Sequence, residues 1–160
     1  MLRSILAVIL SYIAMTILII AVFSAMWFGL GPDRLLVPGT WDGGLLLTIA
    51  APGITLLAGL FGGWMCAKIA TGKRGPVMVL AAVVLVLGLV MAVVTLQKPA
   101  PTGPRDPGMT MQQIMEKGRE PAWVAIGNPI IGAAAVLIGG LFLRGKKVAA
   151  HEPSSDTRRS

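Results

Sequence analysis

The chain has 160 residues and a net charge of +7, with 55% hydrophobic and only 13% charged residues. Soluble domains typically contain about 25% charged residues, so this composition excludes an ordinary soluble fold. The glycines follow no three-residue period, which excludes collagen. The composition therefore predicts an integral membrane protein, and it identifies no chemistry.

Four segments are long and apolar enough to cross a bilayer as helices, which requires about 20 residues each. They cover residues 5–28, 45–69, 77–96 and 123–143, and Lys68 is the only charged residue within them. The first segment is longer than the apolar core of a signal peptide, so we interpret it as an uncleaved span. The prediction is a four-span domain at 1–147, followed by a polar tail at 148–160 that we expect to be disordered.

The positions of the lysines and arginines predict the orientation of the spans. Nine of these residues fall on one side of the predicted topology and five on the other. Basic residues concentrate on the cytoplasmic side of membrane proteins. We therefore expect both termini in the cytoplasm. The short chain and compact loops indicate a multi-pass protein of the bacterial cytoplasmic membrane.

The single cysteine, Cys66, and the single histidine, His151, exclude much redox and metal chemistry. One cysteine cannot form a disulfide within the chain, and one histidine cannot form a bis-histidine haem site. The four spans also lack Asp, Glu, His and Arg, so they contain no carboxylate for proton coupling. We expect no enzyme activity, no cofactor, no metal site and no nucleic-acid partner.

Small residues recur at three- and four-residue spacing along the spans, which is typical of closely packed membrane helices. The first span carries Ser4, Ala7, Ser11, Ala14, Ala21 and Ala25, the third Ala81, Gly88, Ala92 and Thr95, and the fourth Ala125, Asn128, Gly132, Ala135 and Gly139. We expect helix contacts at Gly59, Gly62, Gly63, Gly132, Gly139 and Gly140. The predicted fold is an all-α, antiparallel four-helix transmembrane bundle whose third span is the most exposed to lipid. The alternative is that these rows arise by chance, because Gly and Ala are common in membrane helices.

The second and fourth spans share a pattern at an offset of 77 residues. Pro52 followed by Gly62-Gly63 matches Pro129 followed by Gly139-Gly140. The match indicates two repeated helical hairpins, related by an axis along the membrane normal. Chance similarity between apolar segments is the alternative.

The two prolines and the polar residues at the same predicted depth suggest a pocket. Proline removes one helical hydrogen bond, and paired interrupted helices can mark a transport site. The candidate is an outward-facing pocket formed by Ser24, Thr48, Pro52, Asn128 and Pro129. The simpler interpretation, which we favour at this point, is that Asn128 caps or bridges helices.

The loop between the third and fourth spans contains a second expected element. Thr110-x-x-Gln113 has the pattern of a helix-capping box, and the segment ends at Gly118. We expect a short amphipathic helix on the outer membrane surface.

These observations favour a non-enzymatic accessory or assembly subunit of the membrane. Its expected partners are the lipid bilayer and either a second copy of the chain or another membrane protein. The alternative is a small transporter without proton coupling, or a ligand-binding membrane protein, that uses the pocket near Pro52 and Asn128-Pro129. Nothing in the sequence identifies a substrate.

Overall fold

The computed structural model describes residues 2–99, 101, 103, 113 and 117–149, with side chains as far as residue 141. The helices are α1 (Leu2–Leu30), α2 (Pro32–Leu35), α3 (Leu45–Ile69), α4 (Arg74–Gln97) and α5 (Ala122–Ala149). The described part of the chain is all-helical, without a strand. Four of its helices are long and apolar enough to span a membrane.

The helix boundaries follow the hydrophobic segments closely. The predicted segment 45–69 has the same limits as α3. The helix α1 begins three residues before and ends two residues after its predicted segment, and α4 begins three residues before and ends one residue after its own. Pro76 falls in the first turn of α4, where a missing N–H costs no helical hydrogen bond. At the other end of the chain, α5 continues to Ala149 and so includes the first two residues of the predicted tail. The rest of that tail, and most of the helix expected at 110–118, lie outside the described residues.

The bundle has two ends, named here after a buried residue at each. At the Trp41 end, Trp27 near the last turn of α1 packs against Leu36 and Trp41. At the Cys66 end, α3 turns into α4 through residues 70–73. Gly72 adopts a φ of +81° there, and its N–H donates to the carbonyl of Ala67 at 2.8 Å. Only glycine adopts this backbone conformation without strain.

The apolar core lies nearer the Cys66 end. It joins all four long helices through Ala7, Met15, Cys66, Ala67, Ala70, Val77, Leu80, Ala81, Ala133 and Val136. The Ser11 hydroxyl is fully buried in the same region and makes no hydrogen bond of ordinary geometry, although the Cys66 thiol lies near it. Small side chains dominate this core, which allows the helices to approach closely.

The glycines of α3 and α5 lie at the closest helix contacts. Gly59 lies against Gly132 and Ala135, where an added Cβ would come within 2.6 Å of the Ala135 Cβ. A Cβ on Gly63 would collide with the Val136 carbonyl, and one on Gly139 with the Leu60 carbonyl. The backbones of α3 and α5 therefore touch, and they do so only because these positions carry no side chain.

The remaining glycines of the predicted packing set contact the other two long helices. Gly62 of α3 lies against Met15 of α1, while Gly140 of α5 lies against Val77 of α4. The two Gly-Gly pairs of the sequence repeat therefore have different neighbours. The first glycine of each pair faces α1 in one copy, at Gly62, and α3 in the other, at Gly139. A two-fold axis relating the two hairpins would map α1 onto α4, so Gly139 would then face α4.

The helices differ widely in how much of their surface the bundle covers. In the most apolar part of α5, 50% of the residues are buried, against 22% in α3 and α4 and 17% in α1. The third span, now α4, is therefore not the most exposed, contrary to expectation. The physical reason is that α1 is buried only at Ala7, Ser11 and Met15, so its second half has no buried residue.

Candidate functional site

The loops at the Trp41 end are held together by main-chain hydrogen bonds. Arg119 N–H donates to the Trp41 carbonyl at 2.8 Å, and Gly43 N–H donates to the Arg119 carbonyl at 2.9 Å. The Trp41 indole N–H donates to the Gly103 carbonyl at 3.1 Å, and this side chain is only 7% exposed. Trp41 therefore connects the two loops of this end.

A cavity of about 380 Å³ opens at this end between α3, α4 and α5. We call it the α4–α5 cavity, because those two helices supply most of its walls. Its polar lining consists of Thr55, Thr95, Lys98, Glu120 and Asn128, and its other lining residues are Val84, Gly88, Met91, Ala92, Gly118, Ala125 and Pro129. The cavity therefore combines apolar walls with a few polar groups, which is the usual composition of a small-molecule site.

Asn128 and Pro129 are the α5 residues beside this cavity at which helical or side-chain hydrogen bonding is interrupted. The Asn128 Oδ1 atom is buried and has no hydrogen-bond partner. Pro129 has no N–H, so it cannot donate the usual helical hydrogen bond to the carbonyl of Ala125, which also lines the cavity. Buried polar atoms are nearly always satisfied in proteins. The Asn128 oxygen is buried against protein, so a molecule in the cavity contacts the other polar groups of its lining.

The mouth of the cavity carries charges of both signs. Lys98 ends α4 and Glu120 precedes α5, and no ion pair joins them within the described residues. The Arg119 guanidinium donates to the Lys98 carbonyl at 3.3 Å, so a second cation lies beside this mouth. The surrounding protein partly excludes water from the Glu120 carboxyl and raises its pKa, although the side chain keeps an exposed face.

A second cavity of about 340 Å³ adjoins the first and shares Thr95 and Glu120 with it. Its other lining residues include Asp42, Gly43 and Arg119, all from the hydrogen-bonded loops. Both cavities therefore lie beside the hydrogen-bonded loops of this end.

The structure brings together two of the five residues of the predicted pocket. Asn128 and Pro129 line the α4–α5 cavity, but Ser24, Thr48 and Pro52 do not. Thr48 lies near the start of α3, where its N–H donates to the Gly44 carbonyl at 2.9 Å. Ser24 belongs to the second half of α1, which has no buried residue. Depth alone selected these residues, and depth does not determine which side of a helix faces a neighbour.

The remaining polar lining residues were not selected from the sequence, although a signal for part of the lining existed. Gly88, Ala92 and Thr95 form the small-residue row of the third span, and all three line the cavity. Thr55 lies one helical turn beyond Pro52 on the same side of α3, so the cavity meets this helix one turn further along than the predicted residue. Lys98 and Glu120 lie outside the spans and were counted only as loop charges.

Comparison with protein-family models, curated proteins and solved structures finds no match. The function must therefore be argued from the cavity and the helix surfaces alone.

Proposed function

We propose that the chain is a non-enzymatic, multi-pass membrane protein that binds a small ligand in the α4–α5 cavity from the outer side. The observation that carries the proposal is a cavity between three spans whose apolar walls present the polar side chains of Thr55 and Thr95. A site built to hydrogen-bond a ligand leaves polar groups unpaired when it is empty. Transport without proton coupling is compatible with this role, because the spans contain no acidic residue.

The arrangement assumed in this proposal is an antiparallel bundle. Three contacts support it for α4 and α5, because Gly88 lies against Pro129, Val84 against Gly132 and Val77 against Gly140. The matched positions ascend along one helix while they descend along the other. We also propose that the hairpins arose by duplication, which the shared Pro and Gly-Gly pattern supports.

The proposed location is a bacterial cytoplasmic membrane, with both termini in the cytoplasm and the Trp41 end outside. The excess of basic residues near the other end supports it. In a Cys66→Ala background, a membrane-impermeant maleimide added to intact cells should label Val37→Cys and leave Lys73→Cys unlabelled. Labelling of Lys73→Cys alone would reverse the orientation.

Ligand binding is tested with purified protein in nanodiscs and a panel of small molecules, using the shift in thermal unfolding as the readout. We expect at least one ligand to raise the unfolding temperature of the wild type. The shift should shrink in Thr55→Val, because that hydroxyl lines the cavity, and persist in Thr16→Val. Thr16 is the matched control, since its hydroxyl bonds to the Tyr12 carbonyl at 3.0 Å on an exposed part of α1. Equal shifts in both variants would place the ligand elsewhere and contradict the proposal.

A second candidate, an accessory or assembly subunit, is favoured by a different observation. The small-residue row of α1 continues through Ala21 and Ala25, and both are exposed. Membrane helices associate through such rows, so this half of α1 can pack against another helix. Mass measurement in mild detergent tests this role. A stable complex that Ala21→Leu dissociates would support it, and a monomer in every condition would exclude it.

A further inference from the structure

We propose that α3 carries a binding site for an anionic phospholipid at the Cys66 end. The site consists of Leu57, Phe61, Trp64 and Lys68, called here the Trp64 face, together with the basic turn that follows α3. The inference is independent of the α4–α5 cavity, which opens at the other end of the bundle. It rests on the sign of the charges at the Cys66 end, on the placement of Lys68 over an aromatic ring, and on the order of chemical groups along α3.

The two ends of the bundle differ in charge. Among the residues that the structure describes, every carboxylate side chain belongs to the Trp41 end, namely those of Asp33, Asp42 and Glu120. At the Cys66 end, Lys68, Lys73 and Arg74 fall within seven residues, and all three are exposed. A surface of one sign attracts ligands of the other sign. The Cys66 end is therefore complementary to an anion, whereas the Trp41 end is mixed.

The turn between α3 and α4 keeps its cations close to Lys68. Thr71 N–H donates to the Lys68 carbonyl at 3.3 Å, and Lys73 N–H donates to the Ala70 carbonyl at 3.3 Å. The chain therefore reverses within a few residues, and Lys73 caps the start of α4 at nearly the depth at which Lys68 ends α3. Each cation near an anionic membrane surface adds to the attraction. A phosphate at this depth is thus attracted by more than one side chain.

An aromatic pair positions the Lys68 ammonium. Its Nζ atom lies 4.9 Å from the centroid of the Trp64 ring, which is a cation–π contact. The Trp64 ring in turn packs against Phe61, with ring centroids 6.1 Å apart. Phe61 is 41% exposed and Trp64 36% exposed, so both rings keep surface for a lipid chain. A charge that is already held in place loses less conformational entropy when its partner binds.

The order of groups along α3 favours a phospholipid over a soluble phosphate. Leu57, which is 65% exposed, lies deepest, and Phe61, Trp64 and Lys68 follow at intervals of three or four residues. Such spacing places them on one side of the helix, over about 16 Å at 1.5 Å per residue. The α5 contact at Gly63 uses the other side. A phospholipid presents acyl chain, glycerol and phosphate in this same order, whereas a soluble phosphate has no use for the apolar positions.

The test measures lipid binding to the full chain in detergent by native mass spectrometry, which resolves single bound lipids. The probes are phosphatidylglycerol and phosphatidylcholine with identical acyl chains, and glycerol 3-phosphate as a soluble phosphate. We expect phosphatidylglycerol to bind about tenfold more tightly than phosphatidylcholine, because only the former carries a net negative charge. Glycerol 3-phosphate should not compete with it, because that molecule lacks acyl chains.

A matched pair of lysines tests the position of the site. Lys68→Gln should weaken phosphatidylglycerol binding by about fivefold and leave phosphatidylcholine binding unchanged. Lys117→Gln is the control, because Lys117 is also exposed and its Nζ atom also lies over a tryptophan, 5.3 Å from the centroid of the Trp41 ring. It belongs to the end with mixed charges, so we expect its loss to leave phosphatidylglycerol binding unchanged.

A third variant separates a built site from diffuse attraction to a basic surface. Trp64→Leu keeps every charge but removes the ring that positions Lys68, and it should weaken phosphatidylglycerol binding by about threefold. Diffuse attraction depends on charge alone and would not respond to this change. Both Lys68 and Trp64 are exposed, and circular dichroism verifies that each variant is folded.

The outcomes each decide the proposal. Equal affinity for the two lipids, or equal weakening by Lys68→Gln and Lys117→Gln, would overturn a site on the Trp64 face. Unchanged binding in Trp64→Leu would overturn it in favour of a diffuse basic surface. Competition by glycerol 3-phosphate would overturn the phospholipid in favour of a soluble phosphate. None of these variants alters the α4–α5 cavity, so failure here leaves the proposed function intact.

Discussion

The helices α1 and α5 carry the same kind of small-residue row, but only α5 is packed along it. Gly132, Ala135 and Gly139 are all buried in α5. In α1 the row is buried at Ala7 and Ser11, both 0% exposed, and is exposed at Ala21 and Ala25. A regular row of small residues therefore marks where a helix can approach a neighbour. It does not show that a neighbour is there.

Glycine explains much of the difference between the two helices. The α5 row contains glycines whose backbone touches the backbone of α3, whereas the α1 row consists of Ala and Ser. Close backbone contact adds van der Waals energy that lipid chains do not replace. The α1 row has no glycine, so its backbone approaches a neighbour less closely and the energetic reason to pack within the bundle is weaker.

The largest effect is expected at the α3–α5 backbone contact. Gly63→Ala should lower the free energy of unfolding by about 3 kcal/mol, because the new Cβ meets the Val136 carbonyl and the two backbones must separate. Gly53→Ala in the same helix is the matched control, since its Cβ would have nothing within 4 Å. Unfolding in mixed micelles with increasing SDS measures both. Equal stabilities of the two variants would show that the α3–α5 contact is looser than the structure has it.

The next effect compares the two halves of α1. Ala7→Leu should lower the free energy of unfolding by about 2 kcal/mol, because Ala7 is fully buried and the larger side chain overpacks the core. Ala21→Leu should change the same quantity by less than about 0.5 kcal/mol, because Ala21 is exposed. If Ala21→Leu destabilised the monomer as much as Ala7→Leu, the second half of α1 would have a partner within the bundle.

The helices were predictable because hydrophobicity over about 20 residues is a strong, local signal. The limits of α3 were predicted to the residue, and Pro52 and Pro129 lie within unbroken helices. The degree of exposure was not predictable, because it depends on which helices meet. The Val- and Leu-rich α4 packs against both α5 and α1, so its composition gave a misleading estimate of lipid exposure.

The cavity was predictable only in part, for a related physical reason. Asn128 is the most polar uncharged residue of the spans, and it lines the cavity. Ser24 and Thr48 share its predicted depth but do not line the cavity. Depth follows from counting residues along one helix, whereas convergence on a cavity depends on the rotation of three helices about their own axes.

A smaller effect tests whether the Asn128 side chain stabilises the fold. Asn128→Leu should leave the free energy of unfolding of the ligand-free protein unchanged or raise it by about 1 kcal/mol, because it removes a buried acceptor that has no partner. The SDS titration used for Gly63→Ala measures this effect as well. A loss of stability of similar size would instead support the interpretation that Asn128 bridges helices.

The smallest effect is the pH dependence that Glu120 contributes. Partial exclusion of water raises the pKa of its carboxyl in the folded protein, so the folded state holds this proton more tightly than the unfolded chain. The stabilisation is therefore greatest below the usual carboxylate pKa and is lost as the pH rises through the raised value. Stability curves of the wild type and Glu120→Gln should converge at low pH and separate as the pH rises, with the wild type becoming the less stable. Asp42→Asn controls for general surface charge at this end, because Asp42 is exposed, and the same divergence in that variant would remove Glu120 as the cause.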